Sequence, residues 1–484
     1  MVVTLLIVVY LICAVLLSVY ALGSGIHLIA YLRHRNEKLP TPSIDNLPRV
    51  GVQLPIYNEI YVVERLLDAV SRLDYPRDRL IVQVLDDSTD QTSSVVAARV
   101  AALRERGLNI THVRRGSREG YKAGALAYGL KLLDTEMVAV LDADFIPPPD
   151  FLMRTVPHLV RQPDAAVVQA RWGHLNSYDS LLTMGQTLAL DAHFIVEQTA
   201  RSRAGWLMNF NGSGGVWRVR AIEDAGGWHD ATLTEDLDLS YRAQLAGWRF
   251  IYLPDVVVPG ELPTQITAYK QQQARWAKGG TQCLRRLLLP VWRSPRLTLM
   301  QRIMATQHLC QYIAHPLMVI MLLLTPPLLL SHSLQKVSLG ALGLVGLIPP
   351  LIFIISQQAL YTDWRKRAMA VPALVTIGVG IAWSNARAVV SGLLGHTEEF
   401  RRTPKFAHQA RGNAYALRLN NNLFFELLMA SYALWGMTIA LRLAPAFVPY
   451  LGLYAFAFSV MALWGVWDYL ELRTAQPAAQ GRGH

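Results

Sequence analysis

The sequence predicts a mostly parallel α/β domain joined to an α-helical transmembrane bundle. Two observations carry that reading. Of the 484 residues, 52% are hydrophobic and the mean hydropathy is +0.24. The apolar excess is concentrated in residues 1–31 and much of 301–470, while 40–300 has the make-up of a water-facing domain. Within 40–300, short apolar runs ending in loops alternate with stretches of helical spacing, the pattern of a doubly wound sheet.

The N-terminal apolar run has the length of a bilayer span and is followed by Arg33-His34-Arg35. A retained transmembrane helix over 1–35 is expected, with its amino terminus outside and the basic flank inside. Pro40, Pro42 and Pro48 mark a linker. Residues 36–300 then form the cytoplasmic domain. Strands are expected at 50–57, 80–85, 137–141 and 167–170. Helices are expected at 59–73, where Val62, Val63, Leu66, Leu67 and Val70 recur at helical spacing, and at 91–106. Two further helices, about 178–200 and 264–290, are amphipathic enough to lie against the membrane face.

The C-terminal region, 301–484, holds candidate spans at about 304–331, 337–360, 421–443 and 446–468. The stretch 368–391 is bracketed by Trp364-Arg-Lys-Arg367 and by Arg401, Arg402 and Lys405, and carries Ser384 and Asn385. Basic residues on both flanks argue that both ends are inside, which makes it an interfacial helix. The expected location is an integral membrane protein, of the plasma or inner membrane if bacterial, with the domain at 36–300 facing the cytoplasm.

Net charge is +11. The basic residues flank the apolar segments, as the positive-inside rule requires, and contact with membrane lipids follows. No basic–aromatic binding module is visible, so a nucleic-acid partner is not expected. Cys13, Cys283 and Cys310 form no close pair, which argues against a disulfide framework or a cysteine-based zinc site.

Carboxylates stand where strands end, which is where open α/β sheets bind ligands. Asp86 and Asp87 follow the second strand, and Asp142 and Asp144 follow the third. An Asp-x-Asp on one loop can address a nucleotide and a metal together, with Asp144 as the metal ligand. Mg²⁺ or Mn²⁺ suits oxygen ligands and bridges phosphates. Glu235 and Asp236 follow Thr234, itself a good helix N-cap, and Asp236 is the candidate general base. Lys122 lies among small residues as a phosphate contact. Gln272, Arg275 and Trp276 share one helix. Gln272 can hydrogen-bond a sugar or nucleotide, Arg275 can offset charge on a leaving diphosphate, and Trp276 offers a flat face to a sugar ring. The glycines of Phe210-Asn-Gly-Ser-Gly-Gly-Val-Trp-Arg218 either shape an acceptor pocket or form a turn-rich connector.

Taken together, these residues resemble the processive family 2 glycosyltransferases of the cellulose synthase group, and most nearly the plant cellulose synthase-like A and C mannan and glucan synthases. The resemblance rests on Gln83-Val-Leu-Asp-Asp-Ser-Thr-Asp90, Gly120-Tyr-Lys-Ala-Gly-Ala-Leu126, Asp142-Ala-Asp-Phe145, Val168-Gln-Ala-Arg-Trp172, Phe210-Asn-Gly212, Gly215-Val-Trp-Arg218, Glu235-Asp236 and Gln272-Gln-Ala-Arg-Trp276. It implies a GT-A-like nucleotide-sugar-binding fold and inversion of an α-linked donor, UDP-glucose or GDP-mannose, into a β-linked, 1,4 polysaccharide. It also implies extrusion of the polymer through the protein's own membrane channel. Asp86 and Asp87 would contact base and ribose, Asp142 and Asp144 the nucleotide and metal, and Asp236 would be the base. Gln272, Arg275 and Trp276 would hold the acceptor end and the diphosphate. Phe400-Arg-Arg-Thr403 resembles the family's gating loop, at about 396–410, although Arg401, Arg402 and Pro404 depart from its usual form.

A growing glycan or a lipid is the acceptor. A transferase adding one or a few sugars to a membrane lipid would have nearly the same site. Intact Gln-x-x-Arg-Trp, the later spans and the gating-loop candidate favour the polymerase. A catalytically inactive scaffold or transport subunit would be expected to lack Asp236 or the Asp-x-Asp, and both are present.

Overall fold

The computed structural model describes residues 1–336, 340–395 and 422–475. Phe400, Thr403 and the rest of the expected gating loop lie outside the described residues.

Seven strands form one sheet: β1 (Val50–Ile56), β2 (Leu80–Asp86), β3 (Ile110–Val113), β4 (Met137–Val140), β5 (Ala165–His174), β6 (Gly215–Arg218) and β7 (Arg249–Gly260), in the order β3-β2-β1-β4-β6-β5-β7. All run parallel except β6, which is antiparallel to both β4 and β5. The register pairs Ile56 with Asp86 and Gln53 with Val140. The loops after β1, β2 and β4 therefore open on one edge. Because β6 is reversed, the turn that precedes it reaches that same edge, with Gly214 N donating to Val140 O.

Helices cover both faces. On one lie α2 (Val63–Ser71), α3 (Thr92–Glu105) and, after α4 (Tyr121–Leu130), α5 (Phe151–Arg161). Leu66, Leu67, Val96, Val100, Phe151 and Val156 bury their side chains there against Val52, Leu54 and Val82. The other face takes α4, α8 (Val219–Asp224) and α9 (Glu235–Leu245), which bury Leu126, Ile222 and Leu239 against Val138, Val140 and Val167. β4 divides its residues by period two, Met137 and Ala139 to the first core and Val138 and Val140 to the second.

Sequence patterning missed three strands for local reasons. β3 is only four residues, Ile-Thr-His-Val. β6 follows a glycine-rich turn. β7 is interrupted by Pro254-Asp255, where its pairing with β5 also shifts register. The expected 178–200 helix is three pieces: α6 (Leu181–Asp191), a π-helical segment Ala192–Gln198, and α7 (Thr199–Arg203). Ser180 starts it with a capping box on Thr183. The 264–290 helix is α10 (Ile266–Arg293).

Five described helices or helix runs are long and apolar enough to cross a membrane. They are α1 (Val2–His34), Gln311–Leu330, Leu342–Leu360, Asn422–Leu443 and Pro445–Leu470. The second differs from the expected 304–331. A separate α11 (Leu299–Leu309), started by a Thr298–Gln301 capping box, precedes it, and the span itself is a 3₁₀ turn running into α12 (Ala314–Leu330). The third is α13 (Gly340–Val345) running into α14 (Ile348–Leu360).

The 368–391 stretch is broken. A run comprising α15 (Trp364–Ala368) and α16 (Val371–Gly380) meets α17 (Ala382–Leu394) at a 45° bend. Both of its ends touch elements adjoining the sheet domain: Tyr178 Oη donates to Asp363 Oδ2 at 2.7 Å, and Arg285 on α10 donates to Gly392 O at 3.2 Å. The start of α18 (Asn422–Leu443) and the end of α19 (Val448–Ala475) meet α10 as well. Lys270 Nζ donates to Glu426 at 2.7 and 2.9 Å, and Thr267 N donates to Asp468 at 3.1 Å. The Lys270–Glu426 pair is almost fully buried, so each charge relies on the other for solvation.

Candidate active site

A cavity of about 490 Å³ lies at the sheet edge where the strand ends converge. Its floor is made by loops from β1, β2 and β4, and its far wall by α9 and α10. Of the twelve candidate site residues, Asp87, Lys122, Asp142, Asp144, Glu235, Asp236, Gln272, Arg275 and Trp276 all line it.

Asp86 does not. Its side chain is fully buried, accepting from Ser88 N at 2.9 Å and pairing with His112 Nε2 at 2.8 Å. Burial alone would raise its pKa, but the hydrogen bonds from His112, Ser88 and Ser93 hold it at about 2. The expected base-and-ribose contact is corrected here: Asp86 fixes the turn behind the wall, and Asp87 faces the cavity. Asp87 is held bidentately by Arg115 at 2.8 and 2.6 Å. Arg115 also donates to Glu119 O and Tyr121 O, fastening the 119–121 turn beneath it. Beside this pair, the Arg118 guanidinium lies 3.4 Å from the Tyr57 ring centroid, a flat cationic–aromatic surface.

Lys122, on the first turn of α4, occupies the centre. Its Nζ is 2.6 Å from Asp142 Oδ1 and 3.8 Å from Glu235 Oε1, and it donates to Gly212 O at 2.8 Å. Burial alone would lower the Lys122 pKa, but Asp142, Glu235 and Asp236 together raise it. Asp142 is pushed up by burial, with Lys122 opposing. Ser213 Oγ accepts from Asp142 N at 3.0 Å and ties the end of β4 to the turn before β6.

Asp236 sits partly buried in the first turn of α9. Burial and the neighbouring Glu235 push its pKa up to about 7, against the pull of Lys122, the Leu237 N–H and Arg275. That value suits a proton acceptor working near neutral pH. Gly212, at φ +83, backs it: a Cβ there would lie 2.9 Å from Asp236 Oδ2. Thr234 occupies the N-cap position, but its hydroxyl makes no cap bond and lies 3.4 Å from Cys283 Sγ instead. The expected cap is replaced by tertiary support from α10, whose Gln282 Oε1 accepts from Leu233 N at 2.9 Å.

On α10, Gln272, Arg275, Trp276 and Gly279 fall at i, i+3, i+4 and i+7, so they share a face. The first three line the cavity and the fourth presses on the loop that carries the base. A Cβ at Gly279 would lie 2.6 Å from Thr234 Cγ2 and 2.9 Å from Thr234 N. Gly279→Ala must shift Thr234, two residues before Asp236. We expect donor binding to survive while kcat falls about tenfold to a hundredfold, since an ångström of misplacement is worth that much. Steady-state kinetics beside a donor-binding titration check it.

Sequence reasoning missed His193 and Glu197, and marked Asn211 only as part of the 210–218 stretch. His193, Glu197 and Asn211 line the cavity beyond Asp236 and are hydrogen-bonded to one another. The available signal was a His and a Glu four residues apart in the mostly apolar turns of the expected 178–200 helix. Gln311 and Tyr312, at the start of a membrane-length helix run, also line the cavity.

Residues 48–279, the segment that builds this site, match the model of "Glycosyltransferase like family 2". These residues form a family 2 glycosyltransferase-like domain. The family 2 domain also aligns with curated proteins. Glucomannan 4-beta-mannosyltransferase 1 of Oryza sativa subsp. japonica is 46% identical over 260 residues, 53% of this chain and 50% of that protein. Probable glucomannan 4-beta-mannosyltransferase 10 of Arabidopsis thaliana is 44% identical over 263 residues, 54% of this chain and 48% of that protein. The matched segment thus spans about half the length of these relatives. Among solved structures, the mannosyltransferase PcManGT from Pyrobaculum calidifontis in complex with GDP-Man and Mn2+ is 23% identical, covering 78% of this chain and 99% of that one. Its TM-score is 0.48.

Proposed function

We propose that the chain is an inverting membrane hexosyltransferase that polymerises mannose from GDP-mannose, with UDP-glucose as the alternative donor, into a β-1,4-linked glycan. The observation that carries this reading is one cavity holding a proton acceptor, Asp236, beside a buried cation, Lys122, and the Gln272–Arg275–Trp276 face. The 4-β-mannosyl activity in the names of the relatives supports mannose and the linkage.

In this mechanism the nucleotide base lies against Tyr57 and Arg118 with Asp87 beside it. Lys122 and Arg275 stand near the diphosphate and offset its charge as the bond to the anomeric carbon breaks. The acceptor hydroxyl attacks from the opposite face and its proton passes to Asp236, which inverts the anomeric centre. Asp142 is engaged by Lys122, and among the described residues no group of three or more His, Cys, Asp or Glu is arranged to hold a metal. The donor set fits an ion brought by the substrate: Asp144 and diphosphate oxygens would hold Mg²⁺ or Mn²⁺, which would neutralise the leaving group.

Four contacts support a membrane path with the family 2 domain on the cytoplasmic side: Tyr178–Asp363, Arg285–Gly392, Lys270–Glu426 and Thr267–Asp468. They join the domain and its bordering helices to the chain near 363, 392, 426 and 468, in line with an interfacial 364–394. Gln311 and Tyr312 in the cavity wall support a route for the product toward the spans.

The test is nucleotide release by the purified full-length chain in lipid, supplied with GDP-mannose or UDP-glucose and with Mg²⁺, Mn²⁺ or chelator. Metal-dependent release from GDP-mannose is expected, and no release from either donor contradicts the proposal. Trp276→Ala should shorten the products, because the sugar loses its flat apolar support. Gel sizing of the products checks this, and unchanged length would remove Trp276 from acceptor retention.

A further inference from the structure

Beyond Asp236 the cavity has a second polar wall that the mechanism above leaves unused. His193 and Glu197 both belong to the π-helical segment Ala192–Gln198, a distortion common at functional sites. His193 Nδ1 is 3.0 Å from Glu197 Oε2, and its Nε2 is 3.0 Å from Asn211 Nδ2. With Asn211 donating, Nε2 accepts, so Nδ1–H is the donor to Glu197. Asn211 is itself fixed: Gln198 Nε2 donates to its Oδ1 at 2.7 Å, and its N–H donates to Gln169 Oε1 at 3.0 Å.

The next residue, Gly212, backs Asp236. The Asn211–Gly212 peptide therefore stands between two carboxylates that face one cavity. Their environments differ. Asp236 is pushed up to about 7, whereas Glu197, which burial alone would raise, is held at about 2 by His193, with help from His27 and Arg201. Carboxylates driven apart in this way take different jobs. One exchanges a proton. The other stays ionised and accepts hydrogen bonds. The Glu197 side chain is 29% exposed, and a carboxylate has about four acceptor positions, so capacity remains beyond the His193 bond.

We propose that Glu197, oriented by His193 and Asn211, binds the acceptor. It receives hydrogen bonds from hydroxyls on the terminal hexose of a neutral glycan and holds that sugar in the cavity that Asp236 also lines. The same fixed negative charge repels an acceptor that carries phosphate at this position, so the wall selects a glycan over a lipid phosphate. The inference rests on the glycosyl-transfer reading of this cavity.

The test uses the full-length enzyme in lipid, with β-1,4-linked mannohexaose as acceptor and GDP-mannose as donor. Glu197→Gln keeps the size of the side chain and loses the charge. It should raise the acceptor KM about tenfold or more, the cost of a charge-assisted hydrogen bond. The kcat should stay within about threefold, and the donor KM and donor hydrolysis by water should not change, the split that marks lost acceptor binding. Glu197→Asp, which keeps the charge and withdraws it, should raise the acceptor KM as well, and serves alone if the Gln variant does not fold. An unchanged acceptor KM, or a rise confined to the donor KM, overturns the Glu197 role. Wild-type enzyme that transfers to no glycan overturns the transfer reading itself, so the two failures are distinct.

Discussion

Asp236→Asn is expected to bind donor normally and to lose nearly all sugar transfer. The change keeps the shape of the side chain and removes the group that receives the acceptor proton, so kcat should fall by about a thousandfold, within the range for a general base. Calorimetric binding of GDP-mannose should be unaltered, because the proposed mechanism assigns the diphosphate to Lys122 and Arg275. The wild-type pH profile carries the same signature. With Asp236 near 7, kcat should rise as pH passes through that value and fall in proportion to acidity below it. Stability runs the other way. A carboxyl whose folded pKa is raised favours the folded state fully below its unfolded value, and that contribution is lost as pH rises through about 7. At pH 8 the Asn variant should therefore melt no lower than wild type. Substantial turnover by the variant would remove Asp236 from the proton-transfer role.

Lys122→Met should be nearly as severe and should leave a different trace. Lys122 is the cation bonded to Asp142 and close to Glu235, and it is among the groups that pull the Asp236 pKa down. Its removal leaves Asp142, Glu235 and Asp236 together in the cavity wall, with Arg275 still drawing the Asp236 pKa down. We expect kcat/KM to drop about a hundredfold or more, because a cation facing the leaving group is lost. The acid limb of the pH profile should also move to higher pH, since Asp236 then holds its proton more tightly. The raised folded pKa values of Asp142 and Asp236 make the variant relatively more stable at low pH and less stable as pH rises. Thermal melts at pH 6 and pH 8 and a pH–rate profile check both statements. A profile that keeps its position would show that Lys122 does not tune the base.

Much of this site was legible because its carboxylates sit at strand ends, where a short apolar run followed by Asp is a readable signal. Asp87, Asp142 and Asp144 were placed in that way, and all three line the cavity. Asp86 shows the limit. Adjacent strand-end residues point to opposite faces, and which of Asp86 and Asp87 meets the cavity depended on His112, a residue of a strand too short to recognise. The support for Asp236 was hidden for a related reason. Gln282, Cys283 and Gly279 lie 43 to 47 residues after Asp236 and act through side-chain and backbone approaches that no local pattern records. His193 and Glu197 depend on a π-helical segment, which shifts the helix face and has no periodic signature. The basic flanks of 368–391 argued for an interfacial helix and carried no signal of the bend between α16 and α17. Its course became visible only through Tyr178, Arg285 and the other contacts with the family 2 domain and α10.

The central claim is that one cavity repeatedly joins hexose units by β-1,4 bonds, and the linkage and length of the product test it most directly. The purified chain in lipid is given GDP-mannose and Mn²⁺, and the product is sized and then digested with an endo-β-1,4-mannanase and, separately, an α-mannosidase. A long product cut to short oligosaccharides by the first enzyme and untouched by the second is the predicted result. A single sugar attached to lipid, or a product opened only by the α-mannosidase, would contradict the account.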